Sequence, residues 1–193
     1  PVILASGSPR RKELLALAGF NFTVCPAKGE EVTTKTLPCD IVCELAHQKA
    51  FEIAKAQKAP CYVIGADTIV AFENRILGKP KDNADAVRMV SMLQGNTHQV
   101  YTGVTLIEVC ADGSLREKSF YEETNVHVCQ MTKDEIASYV ATGEPLDKAG
   151  AYGIQGTFSI YVSGIEGDYF NVVGLPVSRL YHEFAAFQNA AHK

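Results

Sequence analysis

The chain has 193 residues, 47% of them hydrophobic and 21% charged, with a net charge of −4. That suits one domain, or one domain of two lobes, able to bury a core without metal or disulfide staples. It argues against nucleic acid or an anionic membrane as a general partner, since both favour a basic surface, and no apolar run is long enough to span a bilayer.

The chain opens with VILA, a short β-type run at 2–5, and PVILA is too short for a secretory signal. Ser8-Pro9 reads as an N-cap followed by proline at the first helical position. The helix it opens has an apolar face of Leu14, Leu15 and Leu17 or Ala18, and Gly19 ends it. FTVC at 22–25 is a second short strand, and the polar stretch 29–40 is irregular. Val42, Leu45, Ala46, Ala50 and Ile53 recur at helical spacing and predict a helix over 41–57. CYVIGADTIVAF, 61–72, is a buried strand or a pair of strands. Asp82 is the N-cap of a helix that stops at Gly95. QVYTGVTLIEVC, a turn at 111–114 and a partner through 125–129 form an antiparallel pair. Thr132-x-x-Glu135 is a capping box for a helix ending at Gly143. The stretch 158–173 reads as a hairpin, and 176–187 as a closing helix. This intermixing predicts an α/β (mixed α+β) fold with a mixed sheet.

Several stretches carry chemistry. Arg10 and Arg11 stand in the first turn of a helix, where the dipole disfavours cations. A bound anion would reverse that sign. Ser6, Gly7 and Ser8 let a phosphate approach the free N–H groups of the helix mouth, and forked guanidinium groups suit its oxygens. No P-loop is present. Asp67 interrupts a strongly apolar run. A carboxylate kept there points to a metal ligand or general base, because burying even a neutral polar group unpaired costs roughly 2–7 kcal/mol. Glu30 and Glu31 form a loop pair that could join Asp67 around a hard cation. Lys49 lies on the apolar face of its helix, where it must snorkel or meet an anion. Lys79 sits in the turn LGKP. The glycine-rich stretch 144–156 offers Gln155 to a base edge. Cys39, Cys43 and His47 would stack on one helical face, but C-x3-C is not a usual zinc spacing and no fourth ligand is near. The six scattered cysteines read as free thiols of a reducing compartment. His98, His127 and His182 show no organised partners and read as structural or surface residues.

LASGSPRRKELL, LAHQKA, IGADTIV, LGKP, HQVYTGV, GEPLDKAGAYGIQG and GDYFNVVGLP, taken in order over nearly the whole chain, resemble the Maf family of nucleoside triphosphate pyrophosphatases. The forms SPRR, GADT and AYGIQG resemble its dTTP- and UTP-preferring branch. The resemblance implies an inosine-triphosphatase-like fold of two lobes around a central cleft. It implies hydrolysis of a nucleoside triphosphate to the monophosphate and pyrophosphate with Mg²⁺ or Mn²⁺. It also implies a homodimer, while the cytoplasmic setting is the reading of the free thiols. Asp67 matches the family's proton acceptor. Arg10, Thr68 and Gln155 match positions linked to substrate choice. Ser6, Arg11, Glu30, Lys49 and Lys79 match other pocket residues. With Asp67, the metal ligand is Glu30 or Glu31. The family's association with septum formation supplies the alternative of a nucleotide-binding regulator of cell division.

Overall fold

In the computed structural model, which describes residues 1–58 and 60–190, β1 (Val2–Leu4) lies between β2 (Phe22–Val24) and β3 (Cys61–Phe72) and runs parallel to both. Parallel neighbours need crossovers, and helices α1 (Pro9–Leu17) and α2 (Pro38–Lys55) provide them. Strands β4 (Arg75–Leu77), β5 (Thr97–Val109), β6 (Leu115–Val128) and β7 (Val162–Glu166) complete a seven-stranded mixed sheet. Its hydrogen-bonded order is β2-β1-β3-β5-β6-β7, with β4 paired to β3. The chain divides into two units, and β3, β5 and β6 each contribute residues to both.

The first unit holds Pro1–Asp67, Thr102–Glu122 and Gly174–Lys193. Its α2 buries Ile41, Val42, Leu45, Ala46, Ala50, Ile53 and Ala54, the stripe that the spacing predicts. Ala50, Ile53 and Ala54 join Ile3, Val63 and Ile107 in one apolar cluster. The helix lies so close to the sheet that a Cβ on Gly65 would collide with the Ala46 carbonyl, and one on Gly103 with the Val42 carbonyl. The two strand glycines are therefore contact points for the helix backbone. Helix α6 (Val177–Asn189) buries Leu180, Phe184 and Phe187 in this unit. Arg116 pairs with Glu108 across β5 and β6, and Ser119 with Thr105. These pairs recede in step from the 110–114 turn, as an antiparallel pair requires.

The second unit holds Thr68–Tyr101 and Glu123–Val173. Here α3 (Asn83–Leu93) starts on the Asp82 side chain, and α4 (Lys133–Ala141) on the full Thr132–Glu135 capping box. Short 3₁₀ turns follow at Glu144–Asp147, Ala149–Ala151 and Thr157–Tyr161. The rings of Tyr139 and Tyr152 both pack on Phe158.

Three expectations need correction. Helix α2 begins at Pro38 rather than residue 41, because proline suits a first helical turn. Leu17 is 69% exposed, so the buried face of α1 is Leu14 and Leu15. Of the two readings of CYVIGADTIVAF, the single buried strand holds, twelve residues long. The stretch 158–173 is not a hairpin: it is a 3₁₀ turn, then β7 antiparallel to β6, then the short helix α5 (Tyr169–Val173). Asn171 decides the last turn, because its side-chain amide donates to the Val100 carbonyl and to Thr124 Oγ1. Among the described residues no helix is long and apolar enough to cross a membrane.

Candidate active site

Asp67 lies on β3, in the run that the α2 backbone presses against, and is 7% exposed. Lys49 reaches it from α2, with Nζ 2.6 Å from Asp67 Oδ1. The same ammonium lies 2.9 Å from Glu31 Oε1, so one cation bridges two carboxylates. This is why a lysine stands on the apolar face of α2: its stem crosses the contact and its head meets anions. The bridge distinguishes the two loop acids. Both acids are exposed, but only Glu31 meets Lys49 among the described residues.

The helix mouth lies in the same unit. Ser8 caps α1 by accepting from the Arg11 amide at 3.5 Å, and Ser6 Oγ accepts from the Ser8 amide at 3.3 Å. Each hydroxyl keeps its own hydrogen for donation to a ligand. Arg11 does not point out as a surface cation. Its Nε donates to the Gly174 carbonyl at 2.9 Å and its Nη1 to Ser6 Oγ at 3.3 Å. Burial pulls this guanidinium below its ordinary value. Asp67 opposes that shift, Arg10 adds to it and Glu31 opposes it. Arg11, Asp67 and Glu31 therefore share one electrostatic neighbourhood. Among the described residues the Arg10 side chain makes no hydrogen bond or ion pair, which leaves its forked donors for an anion.

Thr68, Lys79 and Gln155 lie in the second unit. Thr68 follows Asp67 on β3 and is half-buried, whereas Lys79 and Gln155 are exposed. The LGKP turn is tied to the glycine-rich stretch, since the Gly150 amide donates to the Gly78 carbonyl at 3.0 Å. Gly150 has φ 67° and packs against Val70, so only glycine is at ease there.

Cys39 and Cys43 are half-buried free thiols. His47 turns to Glu117 at 2.8 Å and stacks on Phe51. Among the described residues no three His, Cys, Asp or Glu side chains gather as a metal site. The reading of the histidines needs amendment. His98 is fully buried and bonds Tyr152 Oη at 2.7 Å, and His127 lies between Thr97 and Glu166. Sequence reasoning missed the Gly174 carbonyl. Its partner stands 163 positions away, and no side chain advertises it.

The model of the Maf-like protein family matches residues 1–187. A dTTP/UTP pyrophosphatase of Agathobacter rectalis is 55% identical to this chain over 94% of it and 95% of the relative. One from Lachnoclostridium phytofermentans is 51% identical, covering 96% and 94%. Among solved structures, a nucleoside-triphosphatase (dITP/XTP pyrophosphatase) of Mycobacterium abscessus aligns over 98% of this chain and 97% of its own. It has 13% identity and a TM-score of 0.43.

Proposed function

Since the chain belongs to the Maf-like protein family, we propose that it is a pyrophosphatase that hydrolyses dTTP and UTP to the monophosphate and pyrophosphate. The observation that carries the reading is the Lys49 bridge between Asp67 and Glu31, at 2.6 and 2.9 Å. It sets a base and a cation side by side on rigid elements. Relatives at 51–55% identity, named for dTTP and UTP, supply the substrate class.

In this reading Ser6, Ser8 and Arg10 receive phosphate oxygens at the mouth of α1, and Arg11 holds that mouth in shape. Asp67 accepts the proton of the attacking water. The bond between the α- and β-phosphates breaks, and the pyrophosphate carries away the negative charge. Lys49 offsets that charge as it develops.

The donors fit a divalent cation. Asp67 and Glu31 are hard oxygen ligands in one electrostatic neighbourhood. Mg²⁺ is ordinarily held by one or two carboxylates with phosphate oxygens and water, so two acids suffice beside a triphosphate. When bound by Asp67 and Glu31, the ion would neutralise charge on the phosphoryl oxygens. A cytoplasmic setting, where thiols stay reduced, suits the free cysteines.

The test is pyrophosphate release from a panel of nucleoside triphosphates with Mg²⁺ or Mn²⁺. Release from dTTP and UTP, falling at least ~100-fold in Asp67→Asn, is the expected result. No release from any triphosphate would overturn the reading.

A further inference from the structure

The loop that carries Glu30 and Glu31 has no regular structure and is exposed throughout residues 28–37. Such a segment would ordinarily be mobile, yet Glu31 is the residue that completes the Lys49 bridge. Something must hold it, and the partners all come from one row of α2. Glu52 accepts from two successive backbone amides, Lys28 and Gly29, each at 2.9 Å. Gln48 grips Val32 from both sides: its Oε1 accepts from the Val32 amide at 3.2 Å, and its Nε2 donates to the Val32 carbonyl at 2.5 Å. Glu44 accepts from Thr33 Oγ1 at 2.6 Å. Residues 44, 48 and 52 are four apart, so they stand one above another along the helix.

We propose that Glu44, Gln48 and Glu52 form a rail on α2 that positions the 28–33 loop, so that Glu31 reaches Lys49 of the same helix. The bonds grip the backbone on both sides of residue 31. Gly29 and Val32 are fastened, and only two residues lie between them. That short span leaves Glu31 little freedom. Gly29 is part of the device, because a Cβ there would sit 2.8 Å from Glu52 Oε2 and push the carboxylate away. Burial does not account for the arrangement, since none of these bonds lies in the core. Glu52 itself is fully exposed, and its two backbone bonds draw its carboxyl below the ordinary value. The rail rests on the reading above: its three members are positioning residues that act through Glu31 and touch no substrate.

The experiment compares Gln48→Ala and Glu52→Ala with Glu52→Gln, which keeps one carbonyl acceptor. Amide hydrogen exchange at residues 28, 29 and 32 and steady-state release from dTTP and UTP are measured on each full chain. In the alanine variants the three amides should exchange faster while the thermal midpoint stays near that of the parent. Their kcat should fall roughly 10- to 100-fold, the effect of a small misplacement at a reacting centre, with KM changing less. Glu52→Gln should lie between. In a Glu31→Gln background the Gln48→Ala change should add little further loss, because both act on one interaction. Unaltered exchange at these amides would overturn the rail whatever the catalytic result. Faster exchange with unchanged kcat, or an additive loss in the Glu31→Gln background, would overturn its link to the site. A parent chain that releases no pyrophosphate would overturn the pyrophosphatase reading instead, with the exchange data still deciding the rail.

Discussion

Lys49 is where sequence and chemistry meet most directly. Its side chain is 16% exposed and faces Asp67, whose side chain is 10% exposed. Removing the ammonium leaves a nearly buried carboxylate without its hydrogen-bonded counter-charge, with Arg11 as the other cation of the neighbourhood. Lys49→Met should therefore destabilise the fold by about 3–5 kcal/mol in urea unfolding, and adding Asp67→Leu should recover part of that loss. A double variant less stable than the single one would show that the pair is not the source. His98 makes a separate prediction. Burial lowers its imidazole from 6.5 to about 4, and His127 adds to the shift. Between those values the unfolded chain binds a proton that the folded chain refuses. Stability from this group is thus full above pH 6.5 and falls as the pH drops toward 4, by roughly 3 kcal/mol in all. Urea midpoints at several pH values should show a shallower decline in His98→Gln than in the parent.

Helix α2 is the element on which the site depends. One face packs on the sheet through Ala46, Ala50 and Ile53, Lys49 points to Asp67, and the row at 44, 48 and 52 holds a loop. Its distance from β3 is set at Gly65, where the strand meets the Ala46 carbonyl and the Ala50 backbone. Gly65→Ala should force the two apart. The expected loss is about 1–3 kcal/mol, the usual result of overpacking a tight contact. The loss should come with a fall in kcat, because Lys49 rides on the displaced helix and Asp67 on the strand. A Gly65→Ala chain with the parent's stability and kcat would show that the contact is loose. Helix α1 has a different task. Its Ser8 cap and Pro9 are local signals, whereas its half-buried Arg11 is held by Gly174, far along the chain.

The whole molecule carries a net charge of −4 and yet is proposed to bind a polyanion. Affinity must then come from a local cluster and not from a global field. Arg10, Arg11 and Lys49 supply that cluster in the first unit, beside Asp67 and Glu31. Because Lys49 already satisfies both carboxylates, the fold does not need a metal to keep them together. Chelation with EDTA should therefore abolish pyrophosphate release and leave the thermal midpoint unchanged. A large fall in the midpoint would mean that a metal holds the structure as well. The strands β3, β5 and β6 supply backbone to both units, so neither unit has a sheet made only of its own strands.

The sequence by itself determined what depends on near neighbours. The caps Ser8, Asp82 and Thr132 locate the starts of α1, α3 and α4, because a cap acts over three residues. The spacing of Val42, Leu45, Ala46, Ala50 and Ile53 marks the buried face of α2, because helical geometry repeats within two turns. Ordered motifs along the chain carry the family, which the match over residues 1–187 agrees with. Only the tertiary structure decided what depends on distant partners. Lys49 meets Asp67 18 residues on, and Arg11 meets Gly174 163 residues on. Glu31 differs from Glu30 only by what faces it. The supposed hairpin at 158–173 fails for the same reason: its aromatic and branched residues look like strands locally, but Asn171 finds its hydrogen bonds on β5 and β6. Local propensity is a free-energy bias of at most about 1 kcal/mol per residue, and a buried polar group that finds its partner outweighs it.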